Sequence, residues 1–118
     1  MNGILLIDKK ENKSTTFIDM IVKKRIGTSK VGHAGTLDPF AVGVLPVGIG
    51  KATKLFEYLD DDKEYLATVQ FGKNTDTYDI EGEVTNTFDK KVTQSQVEVA
   101  LKSFEGEISQ LPPIYSAI

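Results

Sequence analysis

A mixed, largely antiparallel α/β sheet with flanking helices is the fold this sequence predicts. Runs with strand character alternate with runs of helical period. They do so without the regular strand–helix–strand rhythm of a doubly wound parallel sheet. At 118 residues the chain is one domain or less, and 40% apolar content suffices for a packed core.

The elements follow in order. Gly3 to Asp8 is a short apolar run ending in charge, which predicts a buried strand. Ser14 is a good N-cap and Gly27 a good helix stop. Between them Phe17, Ile18, Ile21, Val22 and Ile26 recur at helical spacing, with Lys23, Lys24 and Arg25 in the last turn, where the helix dipole favours cations. Val42 to Ile49 is apolar and β-branched, but Pro46 argues against an ordinary central strand. Lys51 to Leu59 predicts a short helix, stopped by the acidic run Asp60-Asp61-Asp62. Glu64 to Phe71 is the clearest strand, with Tyr65, Ala67, Val69 and Phe71 on one face, so the default place for Tyr65 is the core. Gly72 to Gly82 is a polar loop, and Glu83 to Thr87 is the expected partner strand. Thr93 with Gln96 forms a capping box for a helix carrying Val97, Ala100, Leu101 and Phe104, ended by Gly106. Pro112-Pro113 reads as extended. The chain ends on apolar Ile118, whereas C-termini are usually polar and frayed, so it is expected to be one part of a larger protein.

Composition narrows the function classes. The chain has no cysteine, which removes disulfides and thiolate metal sites and fits a reducing cytosol. With one histidine besides, a transition-metal site is not expected. The N-terminal apolar run, Ile4 to Ile7, is far shorter than a signal peptide or a membrane span. Net charge is −3, yet residues 1–33 hold seven Lys/Arg against three acids, and the remainder seven against fourteen. The N-terminal part can therefore form either a polyanion-binding face or a solvated helix surface. Gly43 to Gly48 has the glycine spacing of a phosphate loop, but Ile49 stands where lysine is required. Asn74, Asp76, Asp79, Glu81 and Glu83 suggest a calcium loop, but the turn glycine falls in the wrong place.

The densest chemistry lies in Gly32-His33-Ala34-Gly35-Thr36-Leu37-Asp38-Pro39. It contains the only histidine, two glycines that permit sharp turns, and a carboxylate whose backbone the following proline restricts. By residue type alone His33 could cap a turn and Asp38 could bond the backbone.

These residues resemble the TruB-type tRNA pseudouridine synthases of bacteria. The resemblance runs through Gly3-Ile4-Leu5-Leu6-Ile7-Asp8-Lys9 and Lys30-Val31-Gly32-His33-Ala34-Gly35-Thr36-Leu37-Asp38-Pro39. It continues through Gly43-Val44-Leu45-Pro46-Val47, Ala52-Thr53-Lys54 and Lys63 with Tyr65. Gly72, Thr75-Asp76-Thr77, Asp79 and Gly82 follow, and Gln110, Pro112-Pro113 and Tyr115-Ser116-Ala117 close it. The chain departs from the family at Lys10 and Asn12, where proline and glycine are usual, at Val42 for threonine, and at Lys51 for glutamate.

The resemblance implies the pseudouridine synthase fold, with residues 1–118 as the N-terminal portion of its catalytic domain. It implies a missing second half that carries an active-site arginine, and a missing RNA-binding domain of PUA type. The implied activity is isomerisation of uridine-55 to pseudouridine in the T-arm loop of tRNA, in the cytoplasm, by a protein that is monomeric at full length. No cofactor or metal is needed, and no membrane is involved. Asp38 is implied as the nucleophile, with assistance to loss of a 2′ proton left open as its other role. His33 would occupy the space the flipped base vacates, Tyr65 would stack on that base, and Asp79 would orient the arginine. Lys9, Lys23, Lys24, Arg25, Lys30 and Lys54 are the expected phosphate contacts. The alternative for the 118 residues alone is an RNA-binding fragment without turnover.

Overall fold

The computed structural model describes residues 1–60 and 62–112, in two compact units, Met1–Glu64 and Tyr65–Ile118. In the first unit, β1 (Gly3–Lys9) is followed by α1 (Thr15–Ile26), β2 (Val31–His33), β3 (Gly43–Ile49) and a 3-10 helix (Gly50–Tyr58). The three strands form one antiparallel sheet in the order β1-β3-β2. The fold class expected from the sequence is the one observed.

Helix α1 forms where its caps place it. The Ser14 side chain accepts from the Phe17 N–H at 3.1 Å, and Gly27 closes the helix at φ 71°, where only glycine is unstrained. Its inward row is Ile18, Val22 and Ile26, spaced by four. That row meets Leu45, Val47 and Ile49, the alternate residues on one face of β3, and Ile7 and Val31 complete the core. Phe17 and Ile21, one residue off this row, stay exposed.

Pro46 is a correction. It lies within the central strand, opposite Leu6 of β1. In an antiparallel strand a residue's N–H and C=O point to the same neighbour. The Pro46 carbonyl accepts from the Ala34 N–H at 2.9 Å, just past the last residue of β2. Its missing N–H therefore forfeits only the return bond to Ala34, one residue past the end of β2. The strand is central by order, but Pro46 sits where its pairing with β2 is ending.

The segment after Gly50 is helical as expected, although of the tighter 3-10 form. It approaches β3 closely. A methyl group on Gly48 would sit 2.9 Å from the Phe56 ring and 3.0 Å from the Thr53 backbone.

The second unit contains β4 (Lys73–Thr75), β5 (Val84–Thr87) and α2 (Gln94–Lys102). Both halves of the Thr93–Gln96 capping box are formed. Helix α2 ends at Lys102, so Phe104 lies beyond it. Glu64 to Phe71 is not a strand. Tyr65 is 64% exposed, and Leu66, Val69 and Phe71 are exposed too. Strand β5 pairs with β4, inside the expected loop, instead of with this segment. Alternation supplies two distinct faces, but a strand also needs a partner for its backbone hydrogen bonds, and none is present among the described residues. The expectations on Pro113 to Ile118 lie outside those residues, as does Asp61 in the acidic run.

Candidate active site

The loop between β2 and β3 hangs from two fixed points. His33 closes β2 opposite Val47, and Gly43 opens β3 opposite Lys9. Gly35 turns the chain at φ 76°. The Ala41 N–H donates to the Asp38 carbonyl at 3.0 Å, closing a turn around Pro39-Phe40.

Lys9 organises this turn. Its side chain is completely buried, and its Nζ donates to the carbonyls of Asp38 at 3.0 Å, Pro39 at 3.1 Å and Ala41 at 2.6 Å, with the Lys10 carbonyl at 3.3 Å. A buried ammonium is tolerable only when its donors are satisfied, and converging carbonyl dipoles do that here. The expectation that Lys9 meets phosphate is therefore corrected, because its charge is spent on the loop backbone. Sequence reasoning missed this role. The signal was the position of Lys9 at the inward end of an apolar strand, in phase with Leu5 and Ile7.

With the backbone pinned, the Asp38 side chain is exposed and takes no hydrogen bond among the described residues. Proline at 39 adds its own restriction on that backbone. The result is a carboxylate on a braced turn, able to act on a molecule arriving from solvent.

His33 stands at the loop's entrance, partly buried, and its Nδ1 lies 2.8 Å from Asp19 Oδ2 of α1. Asp19 is itself buried, and its Oδ1 has no hydrogen-bond partner among the described residues. Asp19 was not expected at this site. The helical pattern places it between Ile18 and Val22, toward the sheet, and that was the available clue. Lys23, Lys24, Arg25, Lys30 and Lys54 are all exposed, as phosphate contacts require. The Lys63 Nζ lies close above the open side of Gly35, 3.7 Å from where a Cβ would stand.

Tyr65 and Asp79 belong to the second unit. Asp79 sits in the turn between β4 and β5. Its Oδ1 accepts from the Thr77 hydroxyl at 2.6 Å and the Glu81 N–H at 2.9 Å. The Thr77 hydroxyl foremost, and the Glu81 and Gly82 amides after it, hold its carboxyl below the usual value despite an opposing effect of burial. A cavity of about 500 Å³ beside this turn is lined by Val69, Asn74, Tyr78 and Asp79 among others. No group of three or more His, Asp or Glu that could hold a metal occurs among the described residues.

The first unit thus presents an exposed aspartate on a braced, glycine-turned loop, and comparison with known proteins specifies the class to which the chain belongs. Residues 23–118 match the family model described as TruB family pseudouridylate synthase (N terminal domain). The chain is 48% identical over 119 residues to tRNA pseudouridine synthase B of Syntrophus aciditrophicus, covering all of this chain and 38% of that protein. It is 47% identical over 124 residues to the enzyme of the same name from Zymomonas mobilis, covering 41% of it. Among solved structures, that of a Cbf5-Nop10-Gar1 complex matches 98% of this chain and 30% of the other at a TM-score of 0.66 and 27% identity. The chain belongs to the TruB family of pseudouridylate synthases, as the N-terminal part of its fold. It spans about two fifths of the length of the curated relatives it matches.

Proposed function

We propose that this chain carries the reacting loop of a tRNA isomerase that converts uridine-55 of the T-arm loop to pseudouridine, with Asp38 as the reacting carboxylate. The observation that carries the proposal is the Lys9-braced turn, which fixes the Asp38 backbone through three carbonyls while leaving its side chain exposed. The isomerisation breaks the C1′–N1 bond, turns the uracil and rejoins it through C5. It is redox-neutral, so no cofactor is called for. A carboxylate at the sugar carbon attacks C1′ or stabilises its positive charge, as in glycoside hydrolysis. The alternative route has the same carboxylate assist loss of a 2′ proton.

The target base must leave its stack, at a cost of a few kcal/mol that stacking and edge hydrogen bonds offset. Tyr65 is exposed and able to stack, and His33 takes the place the base leaves. Asp79 orients an arginine supplied by the rest of the protein. Lys23, Lys24, Arg25, Lys30 and Lys54 meet T-arm phosphates, so binding weakens with salt. With tRNA as substrate, the protein works in the cytoplasm as a monomer.

The test is Asp38→Asn in the protein at its full natural length. Product formation should fall by on the order of a thousandfold or more, while tRNA affinity stays within about threefold. Retained turnover sinks the assignment. A second reading concerns the 118 residues alone. Asp38 meets no cation among the described residues, which favours RNA binding without turnover for this segment by itself. Tritium release from labelled tRNA, with and without the downstream half supplied, separates the two readings.

A further inference from the structure

Asp19 is an unusual residue to bury in an amphipathic helix. It lies on the inward side of α1, 8% exposed, and one of its two oxygens has no hydrogen-bond partner among the described residues. A buried, half-satisfied carboxylate is unfavourable, and an apolar residue of similar size would hold α1 against the sheet better. Its one partner among the described residues is the Nδ1 of His33, at 2.8 Å. His33 itself is fixed in the backbone by pairing with Val47 and leads directly into the loop bearing Asp38. An ionised carboxylate can only accept, so a neutral imidazole bound to it must carry its proton on Nδ1. Its other nitrogen, Nε2, then bears a lone pair, and Nε2 makes no hydrogen bond among the described residues.

We infer that Asp19 is a positioning residue that locks His33 in the Nδ1–H tautomer, so that Nε2 is offered as a hydrogen-bond acceptor to an N–H or O–H group of the bound RNA. The inference rests on the proposed function for its ligand, but not for its geometry. It deepens that reading. A wedge that merely fills space needs no fixed tautomer, whereas a ring that reads a donor in the RNA loop does.

His33 is the only histidine of the chain, so histidine-selective ¹⁵N labelling gives a single pair of ring nitrogens. In the 118-residue chain, at a pH where the spectrum shows a neutral ring, long-range ¹H–¹⁵N correlations should report a protonated Nδ1 and a bare Nε2. Asp19→Leu should release the ring toward the Nε2–H form without lowering the thermal midpoint. Placed in the protein at full natural length, Asp19→Leu should raise the tRNA KM about fivefold, the worth of one ordinary hydrogen bond, with kcat within about twofold. Asp19→Asn, whose amide oxygen can still accept from Nδ1–H, should keep both tautomer and KM near the unsubstituted values, and it carries the test if the Leu variant does not fold. Synthetic T-arm RNA with 2′-hydroxyls of the loop replaced by hydrogen identifies the donor. If the KM effect disappears on this RNA, the donor is a 2′-hydroxyl; if it persists, the donor is a base N–H.

An Nε2–H tautomer in the unsubstituted chain overturns the inference. So does an Asp19→Leu variant with unchanged KM. The tautomer is read without turnover, so failure of Asp38→Asn to abolish activity would remove the proposed reaction and leave the His33 measurement standing.

Discussion

Two turns in this molecule each present an aspartate with an expected role, and they hold it in opposite ways. At Asp38 the backbone is clamped and the carboxylate left open. The clamp is Lys9, 29 to 32 residues away in sequence, reaching from the end of β1. At Asp79 the carboxylate itself is engaged, by Thr77 and Glu81, each two residues away. The first arrangement exists only if the β1-β3-β2 sheet has formed. The second is local and survives on turn chemistry alone. A carboxylate meant to meet a sugar carbon needs the first kind of support, because hydrogen bonds to the acid would blunt it. A carboxylate meant to orient a cation tolerates the second.

The strongest way to break this contrast is to remove the clamp. Lys9→Met strips the donors from three loop carbonyls in a buried position and should cost about 3–5 kcal/mol of unfolding free energy, read by denaturant titration. Turnover should fall further than tRNA binding, since the loop loses its shape while Lys23, Lys24, Arg25 and Lys30 remain. Lys9→Arg should not rescue it, because a planar guanidinium fork cannot replace a compact ammonium among converging carbonyls. A Lys9→Met variant of unchanged stability would mean the loop stands by its own turns.

The same contrast extends to packing. Leu45 is fully buried in the first unit, whereas Leu101 on α2 is exposed. Leu45→Ala should destabilise by about 2–5 kcal/mol, and Leu101→Ala in the same chain by less than about 0.5 kcal/mol. Equal effects would show that α2 buries its apolar face in solution.

What the sequence made legible follows the same division. Local chemistry was readable: the Ser14 and Gly27 caps, the Thr93–Gln96 box and the 18-22-26 stripe of α1 are each set by neighbours within a turn or two. Features set by distant partners were not. Pro46 is tolerated in a central strand because β2 ends where it does, and no local rule reports the length of a neighbouring strand. Lys9 looked like any surface lysine until β1 was seen to aim it at the Asp38 carbonyls. Tyr65 was expected in a core face, yet alternation without a hydrogen-bonding partner leaves it exposed. Of the expected site residues, His33 and Asp38 share one loop by sequence adjacency. Asp19 entered the site only through the packing of α1 on the sheet.

The smallest expected effect belongs to the Asp79 turn. The Thr77 hydroxyl and the two backbone amides favour its ionised form, so its folded-state value lies below the ordinary 3.8. A group depressed in the folded state stabilises fully above its unfolded value, and that contribution is lost as pH falls from about 3.8 through the lower folded value. The β4–β5 hairpin should therefore loosen on acidification below pH 4 and be indifferent to pH between 5 and 8. Asp79→Asn keeps an acceptor for Thr77 and Glu81, so at neutral pH it should cost under about 1 kcal/mol. Asn does not titrate, so the substitution should also flatten that acid-side slope. Amide exchange at Glu81, followed from pH 3 to pH 6 in both forms, measures this directly. A slope that persists in Asp79→Asn would show that Asp79 is not its source.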